Sequence, residues 1–263
     1  MELARLAYRA VEDDDDDDIR ELRRFFFLDQ HMDNLRQVYH NVQAYGTLGQ
    51  ESTDEVWQPT IYCDLSRFKE VEKADSKGET VLLNTKTGVT TNLNEEYIGC
   101  KTTGATIAYT SVLRRPDDTG YTEITLCPWY LVEIGNAQYR NVVGGMIDRT
   151  GQASYDPGRG FKGNEPNADV WASRLDFTLL HEFSHALPIT EGRTLDLYYK
   201  WEACVANGGE DTACLNADTY AYFALGVHCI KVPRVKFSKE GKHQLMRRAG
   251  KRAGQLIMKL WNA

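Results

Sequence analysis

The sequence predicts an α+β fold, on three observations. Apolar residues recur at three- and four-residue steps over 19–45, short β-prone runs broken by turn residues fill 60–135, and helical spacing returns from 173 to about 228. The expected order is N-terminal helices, a small twisted sheet, a helical half and a basic C-terminal helix. With 263 residues, 42 % of them hydrophobic, the chain can bury a sizeable core and is not disordered in composition. It has no run of about 18 apolar residues, so no membrane-spanning helix is expected.

The elements follow in order. Glu12 and Asp13–Asp18 form an acidic run, and residues 1–18 are expected to be solvated and mobile because like charges repel. Calcium is not expected there, since the spaced ligands of a binding loop are missing. The main domain is expected over 19–230. Its first part, with Leu22, Phe25, Phe26, Leu35, Val38 and Val42, reads as two helical stretches before Gly46, and Phe25–Phe27 as core. Thr60–Cys63, Val81–Leu83, Thr106–Tyr109 and Tyr121–Cys127 read as strands. Residues 135–170 hold Gly144-Gly145, Asp156-Pro157-Gly158 and Asn164-Glu165-Pro166, and read as loop.

Charge is divided unevenly around the net −7. From Lys231 onward there are ten Lys/Arg and one acidic residue, Glu240, against 21 basic and 37 acidic residues before it. Residues 231–263 are read as a basic amphipathic segment, helical from about Ser238 to Trp261, with Leu245, Ala249, Ala253, Leu256, Ile257 and Leu260 on one face. It packs on the domain, or meets an anionic surface or the acidic segment. Specific nucleic-acid binding is not expected, because no aromatic stacking pattern accompanies the charges. Six cysteines without a CxxC pair make metal-ligand spacing poor and three disulfides plausible, Cys204–Cys214 being the favoured pair.

Residues 181–185 read His-Glu-Phe-Ser-His. On a helix, His181 and His185 lie on one face and can aim two imidazole nitrogens at one zinc ion, with Glu182 beside it as general base. Ser173 and Asp176 are candidate N-caps, and Pro188 stops the helix about one turn after His185. A catalytic zinc needs a third protein ligand and an open position. Zincins of the HExxHxxGxxH type carry glycine and histidine where this chain has Pro188 and Glu191, and Glu202 fits the thermolysin pattern only loosely. Asp196 lies eleven residues after His185, and Glu191 is a reserve candidate for the third ligand.

Thr194, Asp196 and Tyr199 match Gly-Thr-x-Asp-x-x-Tyr-Gly, with Arg193 and Lys200 in place of the two glycines. Asn216-Ala217-Asp218-Thr219-Tyr220-Ala221 matches a second block, and Ile107-Ala108-Tyr109-Thr110 and Thr125-Leu126-Cys127 match strand segments. Over about 95–230 the chain thus resembles the aspzincins, the deuterolysin family of zinc endopeptidases. The resemblance implies a zincin-like fold, one catalytic Zn2+ held by His181, His185 and Asp196, Glu182 as general base, and Tyr199 facing the substrate side of the metal. It implies a substrate-binding role for Asp218. Lysine-specific members add a glutamate three residues later, where this chain has Ala221, so a broader preference for basic residues near the cut is expected. Substrates would be proteins or peptides, and a monomer is expected. Members are generally secreted, which implies a leader removed ahead of Met1-Glu2-Leu3. The alternative is a secreted zinc-binding protein that acts by binding a host or partner without catalysis.

Overall fold

The computed structural model describes residues 2–12, 16–47, 59–73, 78–102, 106–114, 120–136, 154–156, 160–162, 167–172, 174–190, 193–232 and 234–246. Three helices open the chain: α1 (Glu2–Glu12), α2 (Asp17–Phe26) and α3 (Met32–Thr47). The mobile segment expected over 1–18 is corrected over 2–12 and 16–18. Leu3, Ala4, Ala7, Ala10 and Val11 share one face of α1, and that face is buried. Repulsion among the aspartates is relieved because Asp16 caps α2, its side chain accepting from the Asp18 N–H, and because Lys231 and Lys236 reach Asp16 and Asp18 at 2.9 and 3.0 Å. Asp13–Asp15 lie outside the described residues.

The middle of the chain is mixed, with small sheets. Strands β1 (Thr60–Tyr62), β2 (Phe68–Glu72), β3 (Thr80–Asn84) and β4 (Thr90–Asn92) precede helix α4 (Glu95–Lys101), strands β5 (Ala108–Arg114) and β6 (Gly120–Leu126), and helix α5 (Pro128–Asn136). One sheet has the order β1-β6-β5, parallel at β1 and antiparallel at β5; the other is the antiparallel β2-β3-β4. A buried cluster joins the sheets. Arg67 donates to Glu123 at 3.0 Å and to Thr125 at 2.7 Å, Asn84 donates to Glu123 at 2.8 Å, and the guanidinium stacks on Tyr62 and Phe68. The carboxylate is buried only because each of its oxygens has a donor.

The hairpin β7 (Ser154–Asp156) and β8 (Gly160–Lys162) lies inside the expected loop of 135–170. Then come α6 (Ala168–Ala172), α7 (Leu175–His185), α8 (Leu187–Thr190), α9 (Trp201–Ala206), α10 (Ala217–Lys231), and a hairpin of β9 (Val235–Phe237) and β10 (His243–Leu245). Helix α10 is buried from Ala217 to Ile230, mostly apolar apart from Asp218, Thr219 and His228, and forms the axis of the core. Helices α1, α2 and α7 pack on it. The expected helix from Ser238 is corrected over 238–246, where Gly241 at φ +72 turns the chain into the hairpin; residues 247–263 lie outside the described residues.

A disulfide links Cys100 to Cys127 and ties α4 to the end of β6. The favoured Cys204–Cys214 pair is corrected: Cys204 is buried on α9 with Asn216 against its sulfur, and Cys214 turns to the Asp211 carbonyl. Among the described residues no helix is long and apolar enough to cross a membrane.

His228 on α10 is buried with neither ring nitrogen hydrogen-bonded. Burial, then the Arg174 guanidinium, push its pKa down to about 4, against Asp176 and Glu2. The unfolded chain takes up this proton near pH 6.5 and the folded chain resists it to about 4, so stability falls as pH drops through that window. The expected loss is about 3 kcal/mol. Urea titrations at pH 7, 5.5 and 4 should show a steeper loss for the wild type than for His228→Leu; equal slopes would exclude the effect.

Candidate metal centre

Helix α7 begins at Arg174, an N-cap whose side chain caps nothing. Its guanidinium instead pairs with Asp176, which also accepts from the Phe177 N–H at 3.0 Å. Ser173 lies outside the described residues. The helix ends at His185, ahead of the position expected from Pro188, and Pro188 sits within the short α8. A proline fits a first turn because its missing N–H would have no partner there.

His181 and His185 stand one turn apart with their Nε2 atoms 3.4 Å from each other. Asp196 Oδ1 lies 3.1 Å from the first Nε2 and 3.2 Å from the second. The three residues offer donor atoms within 4.8 Å of one another. Each Nδ1 is engaged elsewhere: that of His181 with Asp218 Oδ1 at 2.7 Å, and that of His185 with the Thr194 carbonyl at 3.1 Å. With Nδ1 as the donor in both rings, the lone pairs of both Nε2 atoms face the common point, as in metal-ligating histidines. Where the two Nε2 atoms carry protons instead, burial opposes a charged Asp196, but their hydrogen bonds and charges outweigh it and hold the carboxyl well below its usual range. Two imidazoles and one carboxylate are a donor set suited to zinc.

Asp196 sits on an extended strap, 193–200, pinned along its length. The Leu195 N–H donates to Leu215 and its carbonyl accepts from Ala217. Asn216 Oδ1 accepts from the N–H groups of Leu197 and Tyr198 at 3.0 and 3.1 Å. The Thr190 and Thr194 hydroxyls both donate to the Ser184 carbonyl. Lys200, where the resembled motif has glycine, has φ +73, the region glycine favours. Its N–H donates to Asp218 Oδ2 at 3.2 Å. Arg193, at the other glycine position, is not among the described residues of positive φ. Glu191 lies outside the described residues, and Glu202 is exposed on α9.

Glu182 is buried, and Thr110 on β5 donates to its Oε2 at 2.7 Å. Burial raises its pKa above the ordinary carboxylate value, with His181 and His185 opposing. The Tyr199 ring lies parallel to that of His181, centroids 6.4 Å apart. Burial and the neighbouring Asp196 raise its pKa, so the phenol stays neutral. These groups line a cleft of about 710 Å³ that also takes in Ile107, Val112, Asp169, Phe177 and Tyr222.

The expected substrate-binding role of Asp218 does not fit its placement. The residue is 6 % exposed, with one oxygen on His181 and the other on the Lys200 N–H. Thr110, Asn216, Asp169 and Tyr222 were not singled out from the sequence. Thr110 and Asn216 lie within the resembled blocks, which were their available signal. Asp169 and Tyr222 meet across 53 positions of sequence and left none.

Two outcomes follow from the strap and its support. Asp218→Asn keeps an acceptor for the His181 ring but loses the charge, and zinc affinity measured by chelator competition should fall roughly 10- to 100-fold; unchanged affinity would remove Asp218 from the centre's support. Lys200→Gly should stabilise the fold by about 1 kcal/mol in urea, the backbone strain relieved exceeding the freedom added to the unfolded chain. A destabilised variant would show that the Lys200 conformation carries no strain.

No family model matches the chain, and no curated protein matches it.

Proposed function

We propose that the chain is a zinc-dependent endopeptidase. The observation that carries this reading is the convergence of His181 Nε2, His185 Nε2 and Asp196 Oδ1 beside a buried Glu182, within one cleft. The aspzincin-like blocks support it. The Cys100–Cys127 disulfide supports secretion, since such bonds persist in oxidising compartments.

Zinc, when bound, supplies a Lewis acid that lowers the pKa of water to about 7 and polarises a carbonyl. The chain's own residues divide the remaining work. Thr110 holds Glu182 Oε2, which leaves Oε1 to accept the proton of the attacking water and deliver it to the leaving amine. The neutral Tyr199 phenol donates a hydrogen bond to the oxyanion of the tetrahedral intermediate, a contribution of about 3 kcal/mol in comparable sites. Strand β5 pairs with β6 on one edge only among the described residues. Its other edge offers backbone groups to an extended peptide.

Unfolded casein is the test substrate. Wild-type cleavage should stop with chelator and return with zinc, and Glu182→Gln should lose at least about 100-fold in rate while keeping one zinc per chain. Cleavage indifferent to both chelator and Glu182→Gln would defeat the proposal.

A further inference from the structure

The carboxylates that line the cleft differ in what they have left to offer. Asp196 carries both imidazole contacts, and Asp218 spends both oxygens on His181 and the Lys200 N–H. Glu182 is held by Thr110. Glu96 is exposed on α4, with no donor among the described residues to fix it. Asp169, half-buried on α6, is different. Its Oδ1 accepts from the Tyr222 hydroxyl at 2.7 Å and from the Trp201 N–H at 2.8 Å. Its Oδ2 accepts from none of the described residues. Two donors therefore fix the carboxylate in place and leave one oxygen for something that enters the cleft.

The walls beside it are apolar. Phe177 stands four residues before His181 on α7, and Tyr222 stands four residues after Asp218 on α10. Their rings meet edge to face at 4.8 Å, and Ala172 also lines the cleft. One helical turn advances about 5.4 Å, so this aromatic pair lies about one turn beyond the His181–Asp218 contact. A hydrocarbon stem with a cationic tip matches apolar walls that lead to a fixed carboxylate. The cleft's lining has five carboxylates and a single ammonium at Lys200, so it stays net negative with a divalent ion at the histidines and favours a cation away from that ion.

We propose that Asp169 is the specificity determinant of this cleft, where it binds the lysine or arginine side chain of a substrate residue flanking the scissile bond. The proposal rests on the peptidase reading and moves the acidic specificity contact from Asp218 to Asp169. Tyr222 and the Trp201 N–H are positioning groups that hold the carboxylate still.

The test uses two fluorogenic peptides identical except for lysine or its uncharged analogue norleucine beside the cut. The wild type should cleave the lysine peptide at least about tenfold faster, the range of a charge-assisted hydrogen bond. Asp169→Asn retains an Oδ1 acceptor for Tyr222 and Trp201 but removes the charge, and should bring the ratio close to one. Raising salt from about 0.05 to about 0.5 M should lower the wild-type ratio, which keeps the test decisive if the variant does not fold. A wild-type ratio near one, a ratio unchanged in Asp169→Asn, or one indifferent to salt overturns the proposal. Casein cleavage without lysine preference defeats this proposal alone, whereas no cleavage of casein or either peptide defeats the peptidase reading with it.

Discussion

The Asp218 carboxylate holds together two parts of the chain that local structure would leave apart. Through Oδ1 it orients the His181 ring on α7, and through Oδ2 it takes the Lys200 N–H at the end of the 193–200 strap. A buried carboxylate is expensive to desolvate, so it persists only where each oxygen has a donor. That requirement couples the orientation of a histidine to the path of the segment that brings Asp196 to it. Without the coupling, the two imidazoles would still share a helix face, but the His181 ring would lose the acceptor that orients its Nε2 toward Asp196.

The strap is held by many backbone contacts and little apolar surface. Leu195, Leu197 and Tyr199 are 52, 43 and 57 % exposed, so burial is not what holds it. Asn216 accepts two of its N–H groups, and the end of α7 accepts the Thr194 hydroxyl. Over-determination of this kind is what lets Lys200 keep a backbone conformation suited to glycine. Behind it, Trp201 packs on Phe26, Tyr222 and Phe237, and its indole donates to carbonyls of the C-terminal hairpin. The acidic start and the basic end of the chain meet nearby through exposed pairs such as Lys231–Asp16, whose energy is small. Their consequence is geometric, since they seat α2 beside the end of α10.

The sequence by itself determined those features whose causes are local. Four-residue spacing places His181 and His185 on one face of a helix whatever surrounds them. Alternating or continuous β-prone runs marked β1, β3 and β6 to within a residue and caught only the start of β5, because pattern and turn residues act over short range. Strands β2 and β4 escaped, being polar and largely exposed. Helix α1 escaped for another reason: the aspartate run drew the reading toward repulsion, although Leu3, Ala7 and Ala10 already shared a helix face.

Only the tertiary structure decided the rest. An aspartate in a motif can bind a substrate or brace a histidine, and residue type does not distinguish them. What distinguishes them is which donors fold up against each oxygen: one on each oxygen of Asp218, and among the described residues none on Oδ2 of Asp169. The cysteines are the same case, since Cys204 and Cys214 lie ten positions apart yet face different partners, whereas Cys100 and Cys127 meet across 27. Spacing in sequence sets what can meet over one helical turn, and packing between elements sets what meets over longer distances.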